Sequence, residues 1–263
     1  MHGYATFKEA FSPLECCSSF THDKNTVPAN SPTRLSKWIA DSGYCSRRAA
    51  CRLIEAGEVE VNGEKGKHTD RVSETDSIIV EQTRITAPPK PVYLLYNKPV
   101  GIDCVCNKND PDSIIHQLNQ GPRVFPVGRL DKDSHGLLML TNDGELCQKI
   151  LHPDYFHEKE YKVTVNKVID NDFCSQMSKG VEYDDVKTRP CKITPISPDT
   201  FHIIITQGMN RQIRRMCQSL GYHVTSLKRI RLVNLELNDL LEGTFRTIDQ
   251  TELNTLRATL LPS

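Results

Sequence analysis

A carboxylate held between two glycines just ahead of an apolar strand is the strongest chemical signal in this chain. The run Gly128-Arg129-Leu130-Asp131-Lys132-Asp133-Ser134-His135-Gly136 leads into Leu137-Leu138-Met139-Leu140 and then Thr141-Asn142-Asp143-Gly144. The glycines free the backbone on either side of the charged loop, and the apolar residues form a short buried strand. Asn142-Asp143-Gly144 then turns into a helix over Glu145 to Leu151, with Asp143 as its N-cap. A carboxylate at the mouth of a rigid strand suits chemistry. Standing alone, Asp131 would equally serve to brace an arginine or cap a turn.

Three other segments carry residues of interest. Gln207-Gly208-Met209-Asn210-Arg211-Gln212-Ile213-Arg214-Arg215-Met216-Cys217 reads as a strand end, a turn and a helix capped by Asn210. On that helix Arg211 and Arg215 share a face, and Arg214 is rotated away from it. Glu158 to Val165 alternates as a strand, and its Tyr161 could pass for a core aromatic. Val92 to Tyr96 is a strand, followed by Asn97-Lys98-Pro99-Val100-Gly101, a turn in which Pro and Gly shape the backbone. From Met209 to Arg231 there are six basic residues (Arg211, Arg214, Arg215, Lys228, Arg229, Arg231) and no acidic one. Such a stripe is either a solvated face or a grip on a polyanion.

The seventeen residues from Gly128 to Gly144, with these segments in this order, resemble the motifs of pseudouridine synthases of the small-subunit rRNA synthase (RsuA) family. The resemblance implies that Asp131 is the catalytic carboxylate and that Tyr161 stacks on the target uracil, its phenol a candidate for proton transfer at the sugar. It makes Arg214 the partner that keeps Asp131 ionised and oriented, with Ile213 packing beneath the base. Asn210, Arg211 and Arg215 then belong to the substrate-binding helix. The implied reaction detaches uracil from C1′, turns it and rejoins it through C5, with no cofactor and no metal. Asp131 acts as nucleophile on C1′ or through a glycal-type intermediate. A base inside a stem must first be flipped out, at a cost of roughly a few kcal/mol. Arg129 either fills the vacated space or contacts a phosphate.

The elements that position these residues divide into two units. Residues 1–31 lack periodicity and read as a disordered extension. Residues 32–82 form a small α+β unit: a helical stripe over Leu35, Trp38 and Ile39, a helix from a Ser46 cap to Gly57, a strand at Val59 to Val61, an Asn62-Gly63 turn and a strand at Ser77 to Val80. Arg34, Lys37, Arg47, Arg48 and Arg52 fall on its helices, where Arg48 and Arg52 are one turn apart. The order Arg34 to Ile39, Gly43 to Arg48 and Ile54 to Gly63 resembles the S4 RNA-binding domain, an αL-like fold, which makes those five residues RNA contacts. Residues 83–91, with Pro88, Pro89 and Pro91, read as a stiff linker. Residues 92–263 then alternate unevenly between strands and helices: helical at Ile114 to Leu118, Asp172 to Met177 and Asn210 to Leu220, extended at Val124 to Val127, Glu158 to Val165 and Thr200 to Thr206. Short crossovers indicate an α+β catalytic domain on a mixed or antiparallel sheet.

The 33 basic and 33 acidic residues cancel, so only the local charge distribution points to RNA. Ten cysteines without a secretory signal or zinc-finger spacing indicate reduced thiols in a cytoplasmic protein with no structural metal. No apolar run has membrane-spanning length. The segments His157 to Tyr161, Met177 to Val181, Gln207 to Cys217 and Gly221-Tyr222 with Val224 look most like the F type of 23S rRNA synthase, which acts on a uridine in a stem-loop of that RNA. The expected partner is that RNA, and the expected state a monomer. The sequence stops at Ser263 without the Lys-rich tail of some F-type members, which places more of the rRNA affinity on the S4 unit. The rival readings are a sister synthase with a different rRNA or tRNA site, a non-catalytic S4-type RNA-binding protein and a glycoside hydrolase, which leaves the S4 unit unexplained.

Overall fold

The computed structural model describes residues 31–118 and 121–260. The extension expected at 1–31 lies outside the described residues except for Ser31. The first unit opens with β1 (Thr33–Arg34), α1 (Leu35–Asp41) and α2 (Arg47–Ala56). Ser46 caps α2 by accepting a hydrogen bond from the Ala49 N–H, and Gly57 ends it at φ 77°. Both ends match the sequence signals for a cap and a left-handed stop.

A four-stranded antiparallel sheet follows, built from β2 (Val59–Val61), β3 (Glu64–Lys65), β5 (Ile78–Val80) and β6 (Thr83–Arg84); β4 (Arg71–Val72) pairs instead with β1. Leu35, Ile39, Ala50, Ile54, Val59, Val72, Ile78 and Val80 make its core. Because Val80 pairs with Thr83 and Ile79 with Arg84, the segment expected to begin the linker at 83 is the last strand of this sheet. The backbone hydrogen bonds of a hairpin outweigh the local proline signal here.

The second unit is one large sheet in the order β13 (Lys192–Ser197), β14 (Thr200–Ile205), β10 (Lys159–Val165), β15 (Val224–Leu232), β9 (His135–Thr141), β7 (Tyr93–Lys98) and β17 (Phe245–Thr247). Two short strands join it, β8 (Phe125–Pro126) on β9 and β16 (Leu235–Glu236) on β15. Neighbours are antiparallel except β9 and β15, which pair in parallel through His135 with Lys228 and Gly136 with Arg229. The mixed sheet is the one the sequence implies.

Helices cover both faces. Leu94, Tyr96, Leu138 and Leu140 pack with α4 (Asn171–Ser178) and α5 (Gln212–Ser219), while Leu95, Leu137 and Met139 pack with α3 (Gly144–Leu151) and α6 (Gln250–Thr259). A strand covered on both faces needs no polar alternation, which explains the unbroken run Leu137 to Leu140. A small hairpin, β11 (Glu182–Tyr183) with β12 (Val186–Lys187), flanks α5. The segment expected to be helical at Ile114 to Leu118 is a 3₁₀ turn over Ile114–Gln117. Among the described residues no helix is long and apolar enough to cross a membrane, and the described cysteines are free thiols.

Candidate active site

The Asp131 loop is the connection of a hairpin. β8 and β9 pair through Phe125 with Thr141 and Pro126 with Leu140, and the loop bulges out between them with Gly128 at φ 72° and Gly136 at φ 99°. Its return is fixed by the close approach of β15: a Cβ on Gly136 would lie 2.3 Å from the carbonyl oxygen of Arg229. The helix after β9 starts as expected, with the Asp143 carboxylate accepting from the Glu145 and Leu146 N–H groups.

Two further elements hold the loop. The turn after β7 binds it through the Gly101 N–H, which donates to the Lys132 carbonyl at 2.8 Å. Lys98, fully buried, donates to the Pro99 and Ile102 carbonyls at 2.8 and 2.7 Å and so fixes that turn. The Leu130 N–H, beside Asp131, donates to Cys104 Sγ at 3.4 Å.

Arg214, on α5, holds the loop from the other side. Its Nη2 donates to the Asp133 carbonyl at 2.8 Å and to Ser134 Oγ at 3.3 Å, and its Nη1 to the Val224 carbonyl at 3.1 Å. Its Nε faces the Asp133 carboxylate at 3.4 Å. Arg214 therefore pairs with Asp133 and not with Asp131 as expected. Arg211 bonds Asp133 twice, at 3.1 and 2.8 Å, and lies 3.9 Å from Asp131 Oδ2. Burial works against ionisation of Asp133, but the Arg211 hydrogen bonds and the charges of Arg214 and Arg211 outweigh it and hold the carboxyl below its usual range.

A cavity of about 680 Å³ opens beside the loop. Its lining includes Arg129, Asp131, Tyr161, Asn210, Arg211 and Ile213 of the sequence-expected residues. Asp131 is partly exposed to it, with 31% of the side-chain surface accessible. Tyr161 and Ile213 are buried. Register explains how β10 and β15 contribute: Tyr161 pairs with Arg229 and Glu160 with Arg231, so a bulge on β15 sits at the site.

A profile of RNA pseudouridylate synthases matches residues 92–219 and an S4 domain profile matches residues 33–78. The dual-specificity RNA pseudouridine synthase RluF of Salmonella typhi is 44% identical over 224 residues, covering 84% of this chain and 77% of that protein. The chain belongs to the RNA pseudouridine synthase family. The RluF of Escherichia coli K12 is 43% identical over 226 residues, covering 85% of this chain and 78% of that protein. Ribosomal large subunit pseudouridine synthase B of Bacillus subtilis is 35% identical, covering 86% of this chain and 96% of that protein. A crystal structure of a pseudouridylate synthase superposes with a TM-score of 0.63 at 29% identity, covering 85% of this chain and 99% of that one.

As a pseudouridine synthase the protein is an isomerase of uridine in RNA. Several sequence expectations change in detail. Asn210 is not the cap of α5: Arg211 occupies that position in the left-handed region at φ 50°, and no side chain caps the helix. Arg215 does not join Arg211 at the cavity but turns outward to Asp184 at 3.0 Å and Asn210 at 3.4 Å. The basic stripe is largely folded inward, since Arg231 bonds Glu160 and Glu158, both at 2.9 Å, and Arg229 is 2% exposed.

On the S4 unit Arg34, Arg47, Arg48 and Arg52 are exposed. Lys37 pairs with Asp41 at 3.0 Å and reaches Glu145 of the catalytic unit at 3.3 Å. Sequence reasoning missed Lys159, Arg229, Arg189 and His157 as cavity residues. The spacing of Lys159, two residues before Tyr161 on one strand face, is the signal that could have found it.

Proposed function

We propose that the protein converts a specific uridine in a 23S rRNA stem-loop to pseudouridine, with Asp131 as the essential carboxylate. The observation that supports it best is a partly exposed Asp131 lining a cavity large enough to take a nucleotide, with Tyr161 and Ile213 buried in its lining. Tyr161 stacks on the flipped uracil, Ile213 packs beneath it, and Asp131 acts at C1′ by addition or through a glycal-type intermediate. Arg214 is a positioning residue, acting on Asp131 through the backbone of residues 133 and 134.

Arg129, exposed at the cavity mouth, occupies the space left by the flipped base. Arg34, Arg47, Arg48 and Arg52 supply a sequence-independent grip on the phosphate backbone, with Asn210 and Arg211 beside the bound nucleotide and the outward-turned Arg215 on the flanking RNA. The dual specificity in the names of the RluF relatives extends to this chain as a second RNA target. The protein acts as a cytoplasmic monomer, with an S4 unit running to Arg84 and a catalytic unit starting near Val92.

The deciding experiment measures tritium release from large-subunit rRNA carrying C5-labelled uridine, comparing wild type with Asp131→Asn. Release by wild type alone supports the assignment. Free uracil as product would indicate hydrolysis, and binding without release from either protein would leave an RNA-binding role.

A further inference from the structure

The lining of the Asp131 cavity includes two cations, Lys159 and Arg229, without a paired carboxylate. Lys159 precedes Tyr161 by two residues on β10, and Arg229 is the cross-strand partner of Tyr161 on β15; all three line the cavity. Arg229 is 98% buried, its Nε donates to the Leu137 carbonyl at 2.7 Å, and its Nη2 is buried with no hydrogen-bond partner. Lys159 makes one hydrogen bond, to the His157 carbonyl at 3.3 Å.

Among the described residues no carboxylate lies within 4.0 Å of either cation. The nearby acids are engaged elsewhere: Glu158 and Glu160 bond Arg231, and Glu160 also faces His202 at 3.2 Å. Burial, and then the charge of Arg229, push the Lys159 ammonium down to about 8. A buried guanidinium beside a half-buried ammonium, with no acid to pair either, destabilises a fold, and an unpartnered guanidinium nitrogen is rare in a core. The arrangement makes sense where negative charge arrives from outside.

We propose that Lys159 and Arg229 form a cationic floor that carries the negative charge of the uracil ring while it is detached from the ribose. The proposal rests on the isomerase reading with Asp131 acting at C1′. When the C1′–N1 bond breaks, its electron pair leaves with the base and spreads over N1, O2 and O4. The ring turns, a ring electron pair forms the C5–C1′ bond, the proton on C5 leaves and N1 takes up a proton, so that no atom or electron is gained or lost overall. Two cations of different reach keep a delocalised anion bound through that rotation, where a single fixed donor would hold one orientation. Such stabilisation acts on charge that exists only after bond cleavage, and therefore on rate and not on affinity.

A backbone phosphate would offer the same anionic oxygens, and the test separates the two. Full-length Lys159→Met and Lys159→Arg are compared with wild type on C5-tritiated large-subunit rRNA. RNA affinity is measured across salt concentrations and tritium release under single-turnover conditions. The expected result is an unchanged affinity and salt slope with release about a hundredfold slower in Lys159→Met, largely restored in Lys159→Arg. Weaker binding with a shallower salt slope and an unchanged rate at saturation would assign Lys159 to a phosphate and overturn the proposal. Unchanged rate and binding would overturn it outright. A wild type that releases no tritium overturns the isomerase reading as well, which distinguishes the two failures.

Discussion

Asp133, two residues from the carboxylate that faces the cavity, is the residue on which the site's geometry turns, because Arg211 and Arg214 both converge on it. Its carboxyl is held below the ordinary range, so its contribution to stability is complete above the unfolded value of about pH 4 and is lost as the pH falls through the lower folded value. Asp133→Asn is expected to lower the melting temperature at neutral pH and to flatten the acid limb of a melting-temperature profile. Arg214→Ala removes the donors to the Asp133 carbonyl and Ser134 Oγ; a loop displaced by about an ångström predicts roughly a hundredfold slower tritium release with RNA affinity kept. Equal losses of rate and affinity in Arg214→Ala would show that the arginine contacts RNA directly. Asp131, Tyr161 and Ile213, singled out by the resemblance of their motifs, line one cavity. The partner of Arg214 was not legible in the sequence, since the choice between two aspartates in one short loop depends on how that loop turns in space. Asn210 misled for a related reason: a left-handed Arg211 intervenes, and its side chain is drawn to Asp133.

At the scale of elements, the contact of β9 with β15 is set by a glycine. Gly136 has φ 99°, and a methyl there would meet the Arg229 carbonyl at 2.3 Å and its N at 2.9 Å. Gly136→Ala is therefore expected to destabilise the protein by roughly 2 to 4 kcal/mol in denaturant titration, with activity lost before the fold. Asp143 at the start of α3 accepts two backbone N–H groups and a hydrogen bond from the Tyr93 hydroxyl at 2.9 Å. Asp143→Ala should cost about 1 kcal/mol, and an unchanged denaturation midpoint would show that the cap adds nothing to stability. These elements were readable because caps, turns and the apolar run are local signals. The end of the first unit was not, because Thr83 and Arg84 owe their strand to pairing with Ile79 and Val80 and not to their own propensities.

Across the whole molecule, charge is distributed by use and not by composition. The arginines of the 211 to 231 stripe mostly brace the catalytic unit, whereas Arg47, Arg48 and Arg52 stand exposed on or beside the first turns of α2. Replacing Arg48 and Arg52 together with alanine is expected to weaken RNA binding and reduce its salt slope by up to about two, with the rate at saturating RNA unchanged. Lys37 behaves differently, since its link to Glu145 joins the two units, and its loss should leave that slope intact. The domain order was plain from the sequence; the spending of Lys37 on an interdomain pair was not, because Glu145 lies far away in the chain. The parallel seam between β9 and β15 has a further consequence for the order of assembly. Strands on either side of it find antiparallel neighbours, but the seam itself closes a long loop between positions 135 and 229. Contacts of such high sequence separation form slowly, and this one completes the cavity. On refolding, recovery of catalysis is expected to trail recovery of far-ultraviolet circular dichroism, so that a newly made chain becomes active only as its last strands join.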